Sequence, residues 1–189
     1  MSIDLPGFAD PVMGAQACFR AVLMAMSRPG SVQVAGGGLT PPAPLAAATA
    51  AVLLTLVDAE TVLSLPQAWV AAGEWVDFHC GAPRGDRGAE FVVTDVLPDL
   101  AGLEAGSDEC PERSVTVILQ VAALGRGEAF TLAGPGLAAP RRFLVEGVPA
   151  DFVARWAANQ GLYPRGVDLI LCAGTEVAAL PRSVFVGEG

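Results

Sequence analysis

Apolar positions along this chain follow two rhythms, a helical spacing in some segments and short continuous or alternating runs in others. Asp10-Pro11 supplies a capping carboxylate and a proline at the first helical position, so a helix starts there. Val12, Ala15, Phe19, Val22, Leu23 and Met26 recur at helical spacing and are expected to form one buried stripe. Arg28-Pro29-Gly30 stops that helix. A short strand over 31–35 and a loop over 36–44 follow, then an apolar segment over 45–57 that reads as a buried helix.

Residues 61–65 read as a strand and 67–78 as a helix with Trp69, Ala72 and Val76 on one side, ending at His79-Cys80-Gly81. Residues 84–88 are polar and glycine-containing, which predicts a solvated loop whose Arg-Gly-Asp is a chance match. A strand over 91–93 precedes an acidic, glycine-rich stretch at 98–111 with one helical turn. The run over 115–121 is the strongest strand signal in the chain. Segments 130–133 and 143–146 flank Gly134-Pro135-Gly136 and predict two strands around a tight connection. An amphipathic helix over 149–160 turns Phe152, Val153 and Trp156 inward, and 168–172 and 184–186 supply the last strands. Irregular alternation of helices and strands favours a single α/β domain over 1–189, a three-layer sandwich with a mixed central sheet.

Composition changes the picture in three ways. The chain of 189 residues carries a net charge of −9, which disfavours a phosphate backbone and makes nucleic-acid binding unexpected. All its positive side chains are arginine, so a Walker-type phosphate loop, a lysine Schiff base and a lysine general base are excluded. The apolar fraction of 52% fits either an alanine-rich interior or a sizeable subunit interface. No charge falls between Arg28 and Asp58, yet prolines and glycines leave only 45–57 continuous, too short to span a bilayer. The start has no basic or apolar leader, so a cytoplasmic protein is expected.

Candidate chemistry is sparse. Cys18, Cys80, Cys110 and Cys172 match no metal-ligand spacing and are expected as free thiols, with no metal. Arg28, at a helix terminus beside a glycine turn, suits either the helix dipole or an anion. His79 is the one imidazole, and the favoured role is a hydrogen-bonded structural or interface histidine over a pair with Cys80. Glu112 and Asp168 precede apolar strands, where carboxylates serve catalysis or cap turns, and Arg182 sits just before the last strand. Gly134-x-Gly136 lacks the rest of a dinucleotide fingerprint.

Several segments in order carry a resemblance. They are Gly7-Phe8-Ala9-Asp10-Pro11, Met26-Ser27-Arg28-Pro29-Gly30, Leu54-Thr55-Leu56-Val57-Asp58 and Phe78-His79-Cys80-Gly81-Ala82-Pro83. Pro111-Glu112-Arg113-Ser114-Val115-Thr116, Leu132-Ala133-Gly134-Pro135-Gly136, Tyr163-Pro164-Arg165-Gly166-Val167-Asp168 and Ala179-Leu180-Pro181-Arg182-Ser183 complete the set. Over nearly its whole length the chain resembles the H subunit of the bacterial carbon–phosphorus lyase system, the PhnH family. Cys80, Val115, Tyr163 and Ser183 depart from the family pattern, and Cys80 loses a strong hydroxyl hydrogen bond there.

The resemblance implies a fold similar to the pyridoxal-phosphate-dependent transferases without the cofactor, a homodimer, and a core complex with the G, I and J subunits. That complex joins methylphosphonate to the ribose of ATP, giving alpha-D-ribose 1-methylphosphonate 5-triphosphate. The family assigns no catalytic residue to this subunit, so none is carried over, and a non-catalytic role is expected. The alternative expectation is a small-anion, phosphonate or nucleotide site of transferase type between protomers, built on Arg28, Arg182 and His79.

Overall fold

Two strands buried on both faces form the centre of the structure, a computed structural model that describes residues 5–189. Residues 1–4, on which the expectation about a leader partly rests, lie outside the described residues. Strands β4 (Thr116–Gln120) and β7 (Asp168–Ala173) pair in parallel, with Ile118 opposite Ile170 and Leu119 opposite Leu171. Such a pair needs apolar side chains at nearly every position, and both segments read that way.

The other strands of this sheet are β1 (Gln33–Val34), β2 (Leu63–Ser64), β3 (Phe91–Thr94) and β8 (Glu176–Leu180), in the order β1-β8-β7-β4-β3-β2. β2, β3, β4 and β7 run parallel, whereas β8 is antiparallel to β7 and β1 antiparallel to β8. The sheet is therefore mixed.

Strand alternation divides the core in two. Ile118, Ile170, Cys172 and Val177 face α1 (Pro11–Ser27), α2 (Ala47–Leu56) and α3 (Val70–Cys80). Val117, Leu119, Leu169, Leu171 and Leu180 face the opposite layer. That layer is a second sheet, β6-β5-β9, made of β5 (Ala123–Ala133), β6 (Arg141–Glu146) and β9 (Phe185–Glu188), together with α4 (Phe152–Gln160). Each large side chain buried in these clusters contributes on the order of 1.5–3 kcal/mol.

The structure corrects four sequence expectations. β8 was read as no element at all, because Ala178 and Ala179 carry little strand propensity; its backbone is recruited by pairing with β7. β5 starts at Ala123 rather than at 130, with a register shift between Leu124 and Glu128 that positive-φ Gly125 and Gly127 accommodate. β5 and β6 belong to their own sheet instead of the central one.

The fourth correction concerns α1. Its covered face is Cys18, Ala21, Val22 and Ala25, while Val12, Phe19 and Leu23 of the expected stripe are 75%, 51% and 56% exposed. Small side chains let α1 approach alanine-rich α2 closely, and the larger ones are left outward. By contrast, Trp69, Ala72 and Val76 are buried as expected, joined by Trp75, and α3 starts at Val70.

Helix α2 has no side-chain cap of its own at Ala46. The cap comes from the end of β4: Gln120 Oε1 accepts from the Ala46 N–H at 2.7 Å and from Thr49 Oγ1 at 3.0 Å. Gln120 Nε2 donates to the Pro44 carbonyl at 2.8 Å. Gln120→Ala leaves buried Thr49 and the helix start without these partners. Urea denaturation of that variant is expected to show a loss of about 1–3 kcal/mol.

Candidate functional site

A densely hydrogen-bonded polar cluster lies where β7 begins and β8 ends. Because β7 and β8 are antiparallel, with Leu169 opposite Leu180, the chain after β8 returns beside Asp168. The Arg182 N–H donates to Asp168 Oδ1 at 2.7 Å, and its Nε reaches both carboxylate oxygens at 3.2 Å. Nη2 donates to Oδ2 at 2.5 Å, and Nη1 donates to the Pro111 carbonyl at 2.6 Å. Both side chains are only 14% exposed. The cluster thus clamps β7, the β8–β9 turn and the 3₁₀ turn at Pro111–Arg113 together.

Asn159, which sequence reasoning passed over, completes this region. It is buried on α4, donating from Nδ2 to the Val167 carbonyl at 2.9 Å and accepting the Val167 N–H at 2.8 Å. Its polarity within an amphipathic helix was the one signal that could have marked it.

Beside the clamp, at the amino ends of β3 and β4, is a cleft of about 460 Å³ lined by Glu90, Phe91, Glu112, Arg113, Ser114 and Thr116. Ser114 is 8% exposed and its hydroxyl has no hydrogen-bond partner among the described residues. Glu112 therefore lines a cleft, whereas Asp168 is committed to Arg182.

A second cleft, of about 420 Å³, lies beyond the carboxyl end of β2, the edge at which open parallel sheets commonly hold ligands. There Arg84 Nε donates to Asp77 Oδ1 at 2.7 Å, and Ser64 Oγ donates to Asp86 at 2.7 Å. A Cβ on Gly73 would lie 2.5 Å from Arg84 Nη2, so the glycine lets the guanidinium rest on α3. The segment expected to be a solvated loop is exposed over most of its length and is tied to the sheet at Arg84, which also bridges to Leu63.

His79 is half-buried on the last turn of α3. Its Nε2 donates to the Leu5 carbonyl at 3.1 Å, an acceptor shared with Trp75 Nε1 at 2.8 Å. The ring packs 4.5 Å from Trp75 and 5.0 Å from Phe78 between centroids. Cys80 turns elsewhere, toward the Leu53 carbonyl at 3.8 Å, and burial followed by the charges of Asp77 and Asp58 pushes its thiol up to about 11. No thiolate–imidazole pair forms. Arg28 caps α1 at the surface through its N–H to Met24 O at 3.0 Å.

Arg28, His79 and Arg182 therefore have three separate sets of neighbours, and none of them lines either cleft. Among the described residues no group of three His, Cys, Asp or Glu has a metal-holding arrangement, and no helix is long and apolar enough to cross a membrane.

A mixed α/β scaffold with polar clefts at the sheet ends and a closed arginine–aspartate clamp defines the class. The family described as bacterial phosphonate metabolism protein (PhnH) matches residues 6–187, and the chain belongs to it. It is 38% identical over 183 residues to the "Alpha-D-ribose 1-methylphosphonate 5-triphosphate synthase subunit PhnH" of Rhizobium meliloti (strain 1021), covering 93% of this chain and 92% of that protein. It is 32% identical over 172 residues to the "Putative C-P lyase subunit protein HtxG" of Stutzerimonas stutzeri, covering 90% and 85%.

Two outcomes follow from these sites. Arg182→Ala strands a mostly buried carboxylate and a carbonyl, so chemical denaturation is expected to show a loss of about 3 kcal/mol, and Asp168→Ala a similar one. Burial, only partly offset by Thr49, pushes the Cys172 thiol from 9.0 up to about 12. Between these values the unfolded chain gives up the proton first, so stability falls as pH rises from 9.0 toward 12. In Cys172→Ala, that decline measured by denaturant titration is expected to be shallower.

Proposed function

We propose that this chain is a subunit of a carbon–phosphorus lyase core complex, non-catalytic by itself. In this role it supports formation of alpha-D-ribose 1-methylphosphonate 5-triphosphate from ATP and methylphosphonate. The observation that carries the subunit reading, beside family membership, is the outward apolar face of α1, with Val12 75%, Met13 59% and Leu23 56% exposed. Side chains of this size on one helix face are characteristic of a surface covered in an assembly.

On this reading the chain works as one domain over 1–189, in the cytoplasm, as a homodimer joined to the G, I and J subunits. Its scaffold is akin to the pyridoxal-phosphate-dependent transferases, and with no lysine it has no group to hold that cofactor covalently. Asp168 and Arg182 act as a clamp, and His79 as an anchor for the segment around Leu5.

Co-expression tests this directly. The tagged chain is expected to retain the G, I and J subunits through purification, and the triphosphate product to disappear when this chain is left out. Product formation by the chain alone would refute a non-catalytic role.

A second reading, a small phosphonate or nucleotide site, draws on the 460 Å³ cleft with its unpartnered Ser114 hydroxyl and on Arg113, in place of Arg28, His79 and Arg182. Titration calorimetry of the isolated chain with ATP or methylphosphonate is expected to give no heat. Saturable binding that Arg113→Ala abolishes would favour the second reading.

A further inference from the structure

The chain's charge is strongly segregated. None of its 20 acidic residues falls within 11–57 or 129–145, whereas Arg20, Arg28, Arg141 and Arg142 do. The other seven arginines share the rest of the chain with all the carboxylates. Folding brings the two carboxylate-free segments together. Arg141 Nη1 donates to the Pro29 carbonyl at 3.3 Å, so β6 begins against the carboxyl end of α1.

Two glycines make that approach possible. A Cβ on Gly30 would lie 2.7 Å from Leu132 Cδ1, and one on Gly136 would lie 2.4 Å from the Ser27 carbonyl oxygen. Strand register brings three carboxylates to the margins, Glu176 opposite Val34, Glu188 opposite Phe130 and Glu128 opposite Val145. None of them forms an ion pair with the four arginines, all of which are exposed.

The exposed side of α1 has both kinds of group. Arg20 and Met24 lie one turn apart on that side, and Arg28, the residue that caps the helix, follows just beyond its end. Phe19 and Leu23, 51% and 56% exposed, lie directly beside them. Resting on the subunit reading above, we infer that this face docks a partner subunit through apolar residues flanked by Asp and Glu, and that it does not dock a second copy of this chain.

Charge decides the occupant. A two-fold contact sets the same patch on both sides, so a second copy would oppose arginine-bearing surface with arginine-bearing surface. Like charges facing across an interface cost several kcal/mol. The one carboxylate at this helix, Asp10, already accepts the Val12 and Met13 N–H groups as the cap at its far end. An anionic membrane is disfavoured because α1 offers only Arg20 and its cap residue Arg28, too few for the arginine- or lysine-rich polar face that holds a helix on lipid. An acidic partner answers both the arginines and the apolar side chains, and the homodimer contact then lies on another face.

Two measurements on the reconstituted complex with its partner subunits test this. In the first, a photoreactive benzoylphenylalanine replaces Leu23. The expected cross-link joins it to a partner subunit, at a peptide containing Asp or Glu; a cross-link to a second copy of this chain, or no cross-link, overturns the inference. In the second, Arg20→Glu with Arg28→Glu is expected to weaken assembly by about ten-fold or more, while the paired lysine variants assemble normally. Both residues are exposed, so an unchanged thermal melt of the isolated variant establishes that folding is intact. Full assembly of the double glutamate variant overturns the inference and leaves the subunit reading standing. Failure of the wild-type chain to assemble refutes the subunit reading, and this inference falls with it.

Discussion

The parallel pairing of β4 with β7 is the constraint on which the rest of the structure depends. Their side chains alternate between two cores, so each strand is an internal wall for both. Loss of this pairing would expose apolar surface on both sides at once. The ends of the same strands position the polar groups. Gln120, closing β4, caps α2, and Asp168, opening β7, receives Arg182. Polar side chains at the limits of buried strands thus fix the helices and turns that surround the sheet.

That arrangement shapes what the protein offers to other molecules. Arg182 directs Nε and both Nη groups to Asp168 and Pro111, so its charge is already matched within the fold. The unmatched features lie elsewhere: the Ser114 hydroxyl in its cleft and the outward face of α1. Conserving internal polar partners while leaving an apolar helix face uncovered suits a component of an assembly. Family membership and the apolar face of α1 therefore support the same functional reading.

Helix α1 illustrates why periodicity has limits. Val12, Phe19 and Leu23 form one apolar stripe, and Cys18, Ala21, Val22 and Ala25 form another a fraction of a turn away. Both satisfy helical spacing. Hydrophobicity favours burying the larger stripe, but close packing on alanine-rich α2 selects the smaller one. The sequence contains both faces, and only the neighbour determines which is covered.

Much was fixed by sequence alone. Capping at Asp10, the doubly buried runs around Ile118 and Ile170, the burial of Trp69 and Trp156, and the absence of lysine follow from local chemistry and spacing. The ordered motifs were sufficient to indicate the family. Tertiary structure decided what depends on distant partners: the recruitment of β8, the separate sheet of β5 and β6, and the Gln120 cap across 74 residues. It also gave Arg28, His79 and Arg182, which sequence had grouped as a candidate site between protomers, separate neighbours within one protomer, and brought the carboxylate-free segments at Pro29 and Arg141 together. Local propensity cannot encode these outcomes, because each is a contact between residues far apart in the chain.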